Sequence, residues 1–171
     1  LTHWSLGVPE RGLIGWSGAP HNFHYLQKIE SDLLKLKSDF PWVTFAIYSG
    51  QKPNLKIPFE YVPFKKGEEP LFTKRLSIGL LPLDDDPYSL GKSPIKALQY
   101  MACGVRVVTN GKGATVELLQ GECEQVTHSW YESLANTLTA PKKQNGRGVA
   151  ERYHDIKKVS KQLIQKFVGE G

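Results

Sequence analysis

Short apolar runs alternate with longer segments of helical spacing, and this order limits the possible folds more than any other feature of the sequence. The run 12–16 precedes Leu26, Ile29, Leu33 and Leu36, which recur every three or four residues as on the buried face of a helix. The strand-like runs continue at 43–48, 59–62, 77–83, 105–108 and 123–126. Helices are expected at 68–76, 93–103, 115–119 and from 130, and a C-terminal helix at 147–168.

A helix between two strands returns the chain to the same end of the sheet, so such strands pair in parallel with right-handed crossovers. No repeat, low-complexity tract or linker interrupts the pattern. The sequence therefore predicts an α/β fold, a doubly wound parallel sheet in which residues 1–171 form a single domain.

Composition indicates a soluble globular protein, since 40% of the 171 residues are hydrophobic and 23% are charged. No apolar run approaches the roughly 20 residues that span a bilayer. The chain starts at Leu1 without a signal-peptide pattern, and the absence of an initial Met suggests a piece of a longer chain. Two cysteines, Cys103 and Cys123, are too few for a disulfide framework, which favours a reducing compartment. The net charge of +5 suits a polyanionic partner but is also common without one.

The loop after the fourth predicted strand carries the strongest candidate site. Ser93 and Pro94 fit a helix cap and a first helical position. The unpaired amides of a helix start can hold a phosphate, Lys92 and Lys96 would add positive charge, and Gly91 would let a ligand approach the backbone. The alternative is an ordinary capped helix with surface lysines.

The loop after the first predicted strand carries a weaker signal. Gly18 would allow a close approach of backbone to a ligand, and His21 or Asn22 could donate hydrogen bonds. The glycines lack dinucleotide-binding spacing, and a lone histidine in such a loop is more often solvated or capping.

Other patterns argue against common catalytic sites. Asp84, Asp85 and Asp86 are consecutive, and no further carboxylates follow at calcium-loop spacing, which favours a solvated turn over a metal site. No zinc spacing or nucleophile–base arrangement is present. Cys103 ends an apolar helix and is expected to be an inert core residue.

The segment from Gly91 to Thr109, with Met-Ala-Cys-Gly at 101–104, leads through a glycine-containing turn to Glu117. This arrangement resembles the C-terminal half of the group-1 (family four) glycosyltransferases of the GT-B fold. The resemblance extends over nearly the whole chain from Gly12. It implies a Rossmann-like lobe that binds a nucleotide-diphosphate sugar, linked to UDP or GDP, for transfer to an acceptor with retention.

The resemblance also implies partners and context. The donor is a substrate, and neither a cofactor nor a metal is expected. An N-terminal lobe of the same chain would hold the acceptor, so this piece alone would be inactive. The implied location is the cytoplasm, with peripheral association at the inner face of the membrane, and no nucleic acid partner is expected.

Carried over by position, the resemblance assigns roles to several residues. Backbone from Ser93 to Ile95 would take the diphosphate, and backbone at Pro63 and Phe64 would meet the base. Gln99 stands where the family has a glutamate that binds the ribose hydroxyls. The chain departs from the family there, because Gly91 and Gln99 replace both glutamates of the motif. An amide is a weaker acceptor than a carboxylate.

A further departure concerns positive charge. Trp16 and its neighbours stand where the family often has a basic residue, so Lys92 is expected to supply the charge for the diphosphate.

Two other functions remain open from the sequence. A non-catalytic nucleotide- or phosphate-binding module is favoured slightly by the missing glutamates. A receiver-like regulatory domain would need acidic residues after the first strand, where Trp16 and Ser17 stand.

The basic face of the C-terminal helix fits a membrane surface, an interface with the other lobe or plain solvent exposure. It comprises Arg152, Lys157, Lys158, Lys161 and Lys166.

Overall fold

The computed structural model describes residues 3–85, 95–113, 116, 119, 121–140 and 146–155. The strands are β1 (Leu13–Ser17), β2 (Thr44–Ser49), β3 (Glu60–Pro63), β4 (Ile78–Leu81), β5 (Arg106–Thr109) and β6 (Glu124–Gln125). The helices are α1 (Phe23–Asp39), α2 (Glu69–Lys74), α3 (Ile95–Ala102), α4 (Trp130–Thr139) and α5 (146–155). A short 3-10 turn, Pro20–Asn22, precedes α1.

All six predicted strands are present, with small shifts at their ends. The fourth run ends at Leu81 rather than at 83, because Pro82 has no amide to donate to a neighbouring strand. The first helix starts at Phe23, one turn before the periodic leucines.

The six strands form one parallel sheet in the order β3-β2-β1-β4-β5-β6. This confirms the predicted doubly wound α/β fold. The strand order reverses between β1 and β4, so the loops that leave these two strands diverge and open a crevice at the carboxyl edge.

Successive side chains of each strand point to opposite faces of the sheet, and they fill two separate cores. One core lies under α1 and α4 and contains Ile14, Trp16, Leu26, Leu33, Phe45, Ile47, Ile78, Leu80 and Leu134. The other lies under α2, α3 and α5 and contains Leu13, Ala46, Tyr48, Phe72, Ala97, Tyr100, Met101, Val107 and Val149.

Two glycines on the second face let the helical layer approach the central strands closely. Gly15 of β1 and Gly79 of β4 are direct neighbours in the sheet. A Cβ atom at Gly15 would lie 2.4 Å from Leu76 Cδ2, and one at Gly79 would lie 2.5 Å from Tyr100 Cδ2. The absence of a Cβ at Gly79 leaves room for the Tyr100 ring against β4, and its absence at Gly15 leaves room for the Leu76 side chain against β1.

The two cysteines are free thiols, and Cys103 is buried as expected. Burial raises the pKa of the Cys103 thiol to about 11, which keeps it protonated near neutral pH. None of the described helices combines the length and apolar character that crossing a bilayer requires.

The described part of the C-terminal helix packs on the second core through Val149 and Tyr153. The remainder of the predicted helix, up to 168, lies outside the described residues, as do its lysines and most of the predicted helix 115–119.

Ser129 caps α4, and Glu132 follows it at the Ser-x-x-Glu spacing of a capping box. Its hydroxyl oxygen accepts a hydrogen bond from the backbone N–H of Glu132 at 3.1 Å. We expect Ser129→Ala to lower the free energy of unfolding by about 1 kcal/mol, because one amide of the first turn loses its partner. Urea unfolding followed by circular dichroism measures this change. Ser38→Ala, at an exposed position of α1, is the matched control, and equal effects of the two substitutions would contradict the capping role.

Candidate functional site

A cleft of about 350 Å³ opens at the carboxyl edge of the sheet, where the strand order reverses. In doubly wound sheets ligands bind at this position. The lining residues are Ser17, Gly18, Ala19, Pro20, Tyr48, Gly50, Phe64, Glu69 and Lys96. They come from the ends of β1 and β2 and the residues just after them, from the loop after β3, and from the first turns of α2 and α3.

Three polar side chains converge in this cleft. Lys96 forms an ion pair with Glu69 Oε1, and its Nζ donates a hydrogen bond to Ser17 Oγ at 3.2 Å. The Ser17 hydroxyl in turn donates to the same Glu69 oxygen. The side chains of Lys96 and Glu69 keep 29% and 21% of their surface exposed, so the group is accessible to a ligand.

Tyr100 is buried behind Ser17, Glu69 and Lys96 and holds the backbone of Ser17 in place. The backbone N–H of Ser17 donates to the Tyr100 hydroxyl at 3.1 Å, which fixes the end of β1 relative to α3. Tyr100 is fully buried, and desolvation raises the pKa of its phenol well above the usual range. The phenol is therefore neutral at physiological pH.

Tyr100→Phe should lower the free energy of unfolding by about 1 to 3 kcal/mol, because the buried amide of Ser17 loses its acceptor. Urea unfolding monitored by fluorescence measures the loss. Tyr131→Phe is the matched control, since the Tyr131 hydroxyl donates to Asp39 at an exposed site and its removal should cost far less. A Tyr100→Phe variant as stable as the control would contradict a role of this bond in holding the site.

Aromatic rings form the opposite wall of the cleft. The Tyr48 hydroxyl donates to the Lys65 carbonyl at 2.6 Å and accepts from the Lys65 N–H at 3.0 Å. These two hydrogen bonds hold the loop after β3 at the backbone of Lys65. The Phe64 ring packs edge-on against Tyr48 with a centroid separation of 5.7 Å and remains 55% exposed. An exposed ring of this kind offers a surface on which a planar heterocycle can stack.

Gly18 is held in place by its neighbours on β2. Its N–H donates to the Tyr48 carbonyl at 3.2 Å, and its carbonyl accepts from Ser49 Oγ at 2.7 Å. A Cβ atom at Gly18 would lie 2.4 Å from Trp16 Cζ2. The backbone of this loop therefore forms a fixed wall of the cleft, which larger residues at Gly18 would disturb.

The structure brings some of the predicted site residues together and separates others. Those that line the cleft are Gly18, Phe64 and Lys96. Those that are described but do not line it are His21, Asn22, Pro63, Ile95 and Gln99. Four predicted residues lie outside the described residues: Gly91, Lys92, Ser93 and Pro94.

Gln99 lies three residues beyond Lys96, on nearly the same side of α3. Its Oε1 atom is buried and, within the described part of the chain, accepts no hydrogen bond. A buried acceptor without a partner is uncommon in folded proteins and calls for an explanation, such as a ligand hydroxyl.

Sequence reasoning missed Ser17 and Glu69, the polar partners of Lys96 in the cleft, and Tyr100, which is buried behind them. Glu69 was expected only as part of a short helix, and nothing local marks it as a partner of Lys96. One local signal was present, because Lys96 and Tyr100 are spaced i,i+4 on a predicted helix and so share a face.

A second, more polar cleft of about 260 Å³ lies at the ends of β4, β5 and β6. Asp84 pairs there with Lys28 at 2.5 Å and lies 3.3 Å from His24 Nε2, while Asp85 pairs with Lys112 at 2.6 Å. The hydrogen bond from Lys28 is the main cause that lowers the pKa of Asp84. Within the described ranges, no three His, Cys, Asp or Glu side chains form a group that could hold a metal ion.

Comparison with known proteins rests on structure alone. No protein-family model matches the chain, and no curated protein is significantly similar to it. Among solved structures, HepE from Anabaena in complex with UDP-glucose superposes with a TM-score of 0.64 at 15% identity, over 94% of this chain and 49% of HepE. The chain has the fold of a GT-B glycosyltransferase domain.

Two further structures agree with this fold. The C-terminal domain of LpcC, a group 1 family glycosyltransferase from Francisella tularensis, gives a TM-score of 0.60 at 15% identity, over 86% of this chain and 88% of that domain. The pneumococcal O-GlcNAc transferase GtfA, in complex with UDP and GlcNAc, gives 0.64 at 10% identity, over 96% of this chain and 38% of GtfA. The chain thus spans about half the length of HepE, and nearly all of the isolated LpcC domain.

Proposed function

We propose that this chain is the donor-binding, C-terminal lobe of a glycosyltransferase of the group-1 type and that it binds a nucleotide-diphosphate sugar. The observation that carries the proposal is the cleft at the β1–β4 crevice, which combines the Lys96 ammonium with the exposed ring of Phe64. A cation beside an aromatic surface matches the two parts of a nucleotide, its phosphates and its base.

The structural neighbours support this proposal. HepE and GtfA were solved with UDP-glucose and with UDP and GlcNAc, and this chain covers about half of HepE. We propose that residues 1–171 form one lobe and that an N-terminal lobe of the same chain holds the acceptor. A cytoplasmic enzyme, peripheral to the inner face of the membrane, fits this proposal.

Each described group has a role in the proposed complex. The base, of a UDP- or GDP-linked sugar, stacks near Phe64, and the diphosphate lies between the Gly18 backbone and Lys96. Gln99 does not line the cleft as it stands, and its Oε1 atom, buried without a described partner, would accept a hydrogen bond from a ribose hydroxyl after the side chain turns towards the cleft.

Transfer moves the sugar from the diphosphate to an acceptor hydroxyl, which we propose occurs with retention. Negative charge builds up on the diphosphate as its bond to the sugar breaks, and the Lys96 ammonium stabilises that charge. The role is electrostatic, and we propose that neither a resident metal nor a cofactor takes part in this lobe.

A second candidate function is a non-catalytic nucleotide- or phosphate-binding module. Gln99, in place of the family's glutamate, favours it, because an amide binds a hydroxyl more weakly than a carboxylate does. Assays of the longer chain separate the two functions: sugar transfer or donor hydrolysis above background supports the enzyme, and binding without either supports the module.

Calorimetric titration of this chain with UDP, GDP, ADP and CMP, with and without magnesium, tests the proposed function. The expected result is selective binding of one nucleoside diphosphate that does not depend on magnesium. The absence of binding for all four nucleotides at millimolar concentration would contradict a donor site in this lobe.

A further inference from the structure

The Glu69 carboxylate occupies the cleft in a way that resembles a bound anion. One oxygen, Oε1, accepts from both the Ser17 hydroxyl and the Lys96 ammonium. A hydroxyl and an ammonium that converge on one anionic oxygen are also a donor set suited to a phosphate oxygen. The carboxylate therefore holds the donors that a phosphate would use.

The charges in the cleft have a second consequence. Of its described lining residues, Lys96 carries the positive side chain and Glu69 the negative one, so the two cancel. An entering anion gains attraction from Lys96 but meets repulsion of similar size from a carboxylate in contact with that ammonium. With Glu69 in its observed position, the described lining of the cleft offers little net attraction to a phosphate.

We propose that Glu69 is an internal counter-ion, which a ligand must displace from Lys96 and Ser17 before its phosphate can bind. This inference rests on the proposed function. It names the residue that determines how much negative charge a ligand needs in order to bind at Lys96. Glu69 lies in the first turn of the six-residue helix α2, and its side chain is partly exposed, so rotation of the side chain can release Lys96.

A ligand must carry enough negative charge to compete with the Glu69 carboxylate for Lys96. A nucleoside has no group that competes for Lys96, and a monophosphate carries less charge than a diphosphate. A diphosphate can replace the carboxylate, because its attraction to Lys96 is stronger than the attraction between Glu69 and Lys96 that is lost. The counter-ion therefore lowers the affinity for phosphates that contact Lys96 and leaves unchanged the affinity for a neutral ligand that binds only through its base.

Glu69→Gln tests the inference because glutamine has the same shape and keeps an oxygen that accepts from Ser17 and Lys96, but it carries no charge. We expect the affinity for UDP and for inorganic pyrophosphate to rise about tenfold, since the repulsion is removed. The affinity for uridine should stay unchanged. Titration calorimetry with UDP, UMP, uridine and pyrophosphate measures these changes, and thermal unfolding verifies that the variant folds.

Glu68→Gln is the matched control, because it removes the same charge from the neighbouring residue, which pairs with Lys65 and does not line the cleft. The double variant Glu69→Gln with Lys96→Gln should lose the gain. Unchanged or weaker pyrophosphate and UDP binding by Glu69→Gln would overturn the inference, as would an equal gain in Glu68→Gln.

Failure of the proposed function looks different. In that case no nucleotide binds to the wild type or to Glu69→Gln. Titration with pyrophosphate then shows whether Glu69 blocks the Lys96 ammonium. Pyrophosphate binding that appears only in Glu69→Gln supports the counter-ion, and its absence from both proteins overturns it.

Discussion

Gly79→Ala is expected to lower the free energy of unfolding by about 3 kcal/mol, the upper end of what overpacking a core usually costs. The added Cβ would lie 2.5 Å from a ring carbon of Tyr100, far inside van der Waals contact. The ring is fully buried and its hydroxyl accepts from the Ser17 amide, so it has little room to move away. Strain at Gly79 should therefore spread to the end of β1 and the cleft.

Urea unfolding of Gly79→Ala measures the loss of stability, and Gly50→Ala provides the control. A Cβ at Gly50 would meet only Pro20 Cγ at 3.9 Å, an ordinary contact. The control should change the free energy of unfolding by less than about 0.5 kcal/mol. Equal stability of the two variants would contradict the close approach of Tyr100 to β4.

Lys96→Met is expected to weaken nucleoside diphosphate binding by about 10- to 100-fold, the range of a lost hydrogen bond to a charged group. Methionine preserves much of the length and apolar stem of lysine but removes the ammonium. The loss includes a second effect, because Glu69 would then face the phosphate without a partner. Titration calorimetry with UDP and GDP measures the change.

Lys66→Met is the control for charge, since Lys66 is exposed and does not line the cleft. It should reduce the affinity by less than about twofold, because exposed charges are screened by salt over about 10 Å. Similar affinities of wild type and Lys96→Met would place the phosphate away from this ammonium.

The fold could be predicted from the sequence because its signals are local. Each strand is marked by a short apolar run, and α1 by the spacing of Leu26, Ile29, Leu33 and Leu36, all of which are buried. Ser129 marks the start of α4 through a hydrogen bond that spans three residues. Such signals depend on neighbours in the chain and need no knowledge of the sheet order.

The cleft could be predicted only in part because its contacts are not local. Lys96 was found through its place after a strand, but its partners Ser17 and Glu69 are 79 and 27 residues away in the chain. The contact between Tyr100 and the Ser17 amide depends on two elements that the sheet order brings together. Ser17 and Glu69 are ordinary residues in their local segments, and only the fold makes them neighbours.

A crystal structure of this chain with the nucleoside diphosphate that binds best in calorimetry would test the central claim most directly. We expect a phosphate oxygen about 3 Å from Lys96 Nζ, the base beside the Phe64 ring, and the Glu69 carboxylate moved away from Lys96. A nucleotide bound elsewhere, for example between Asp85 and Asn110, with the Lys96–Glu69 pair intact, would contradict the assignment of this cleft as the donor site.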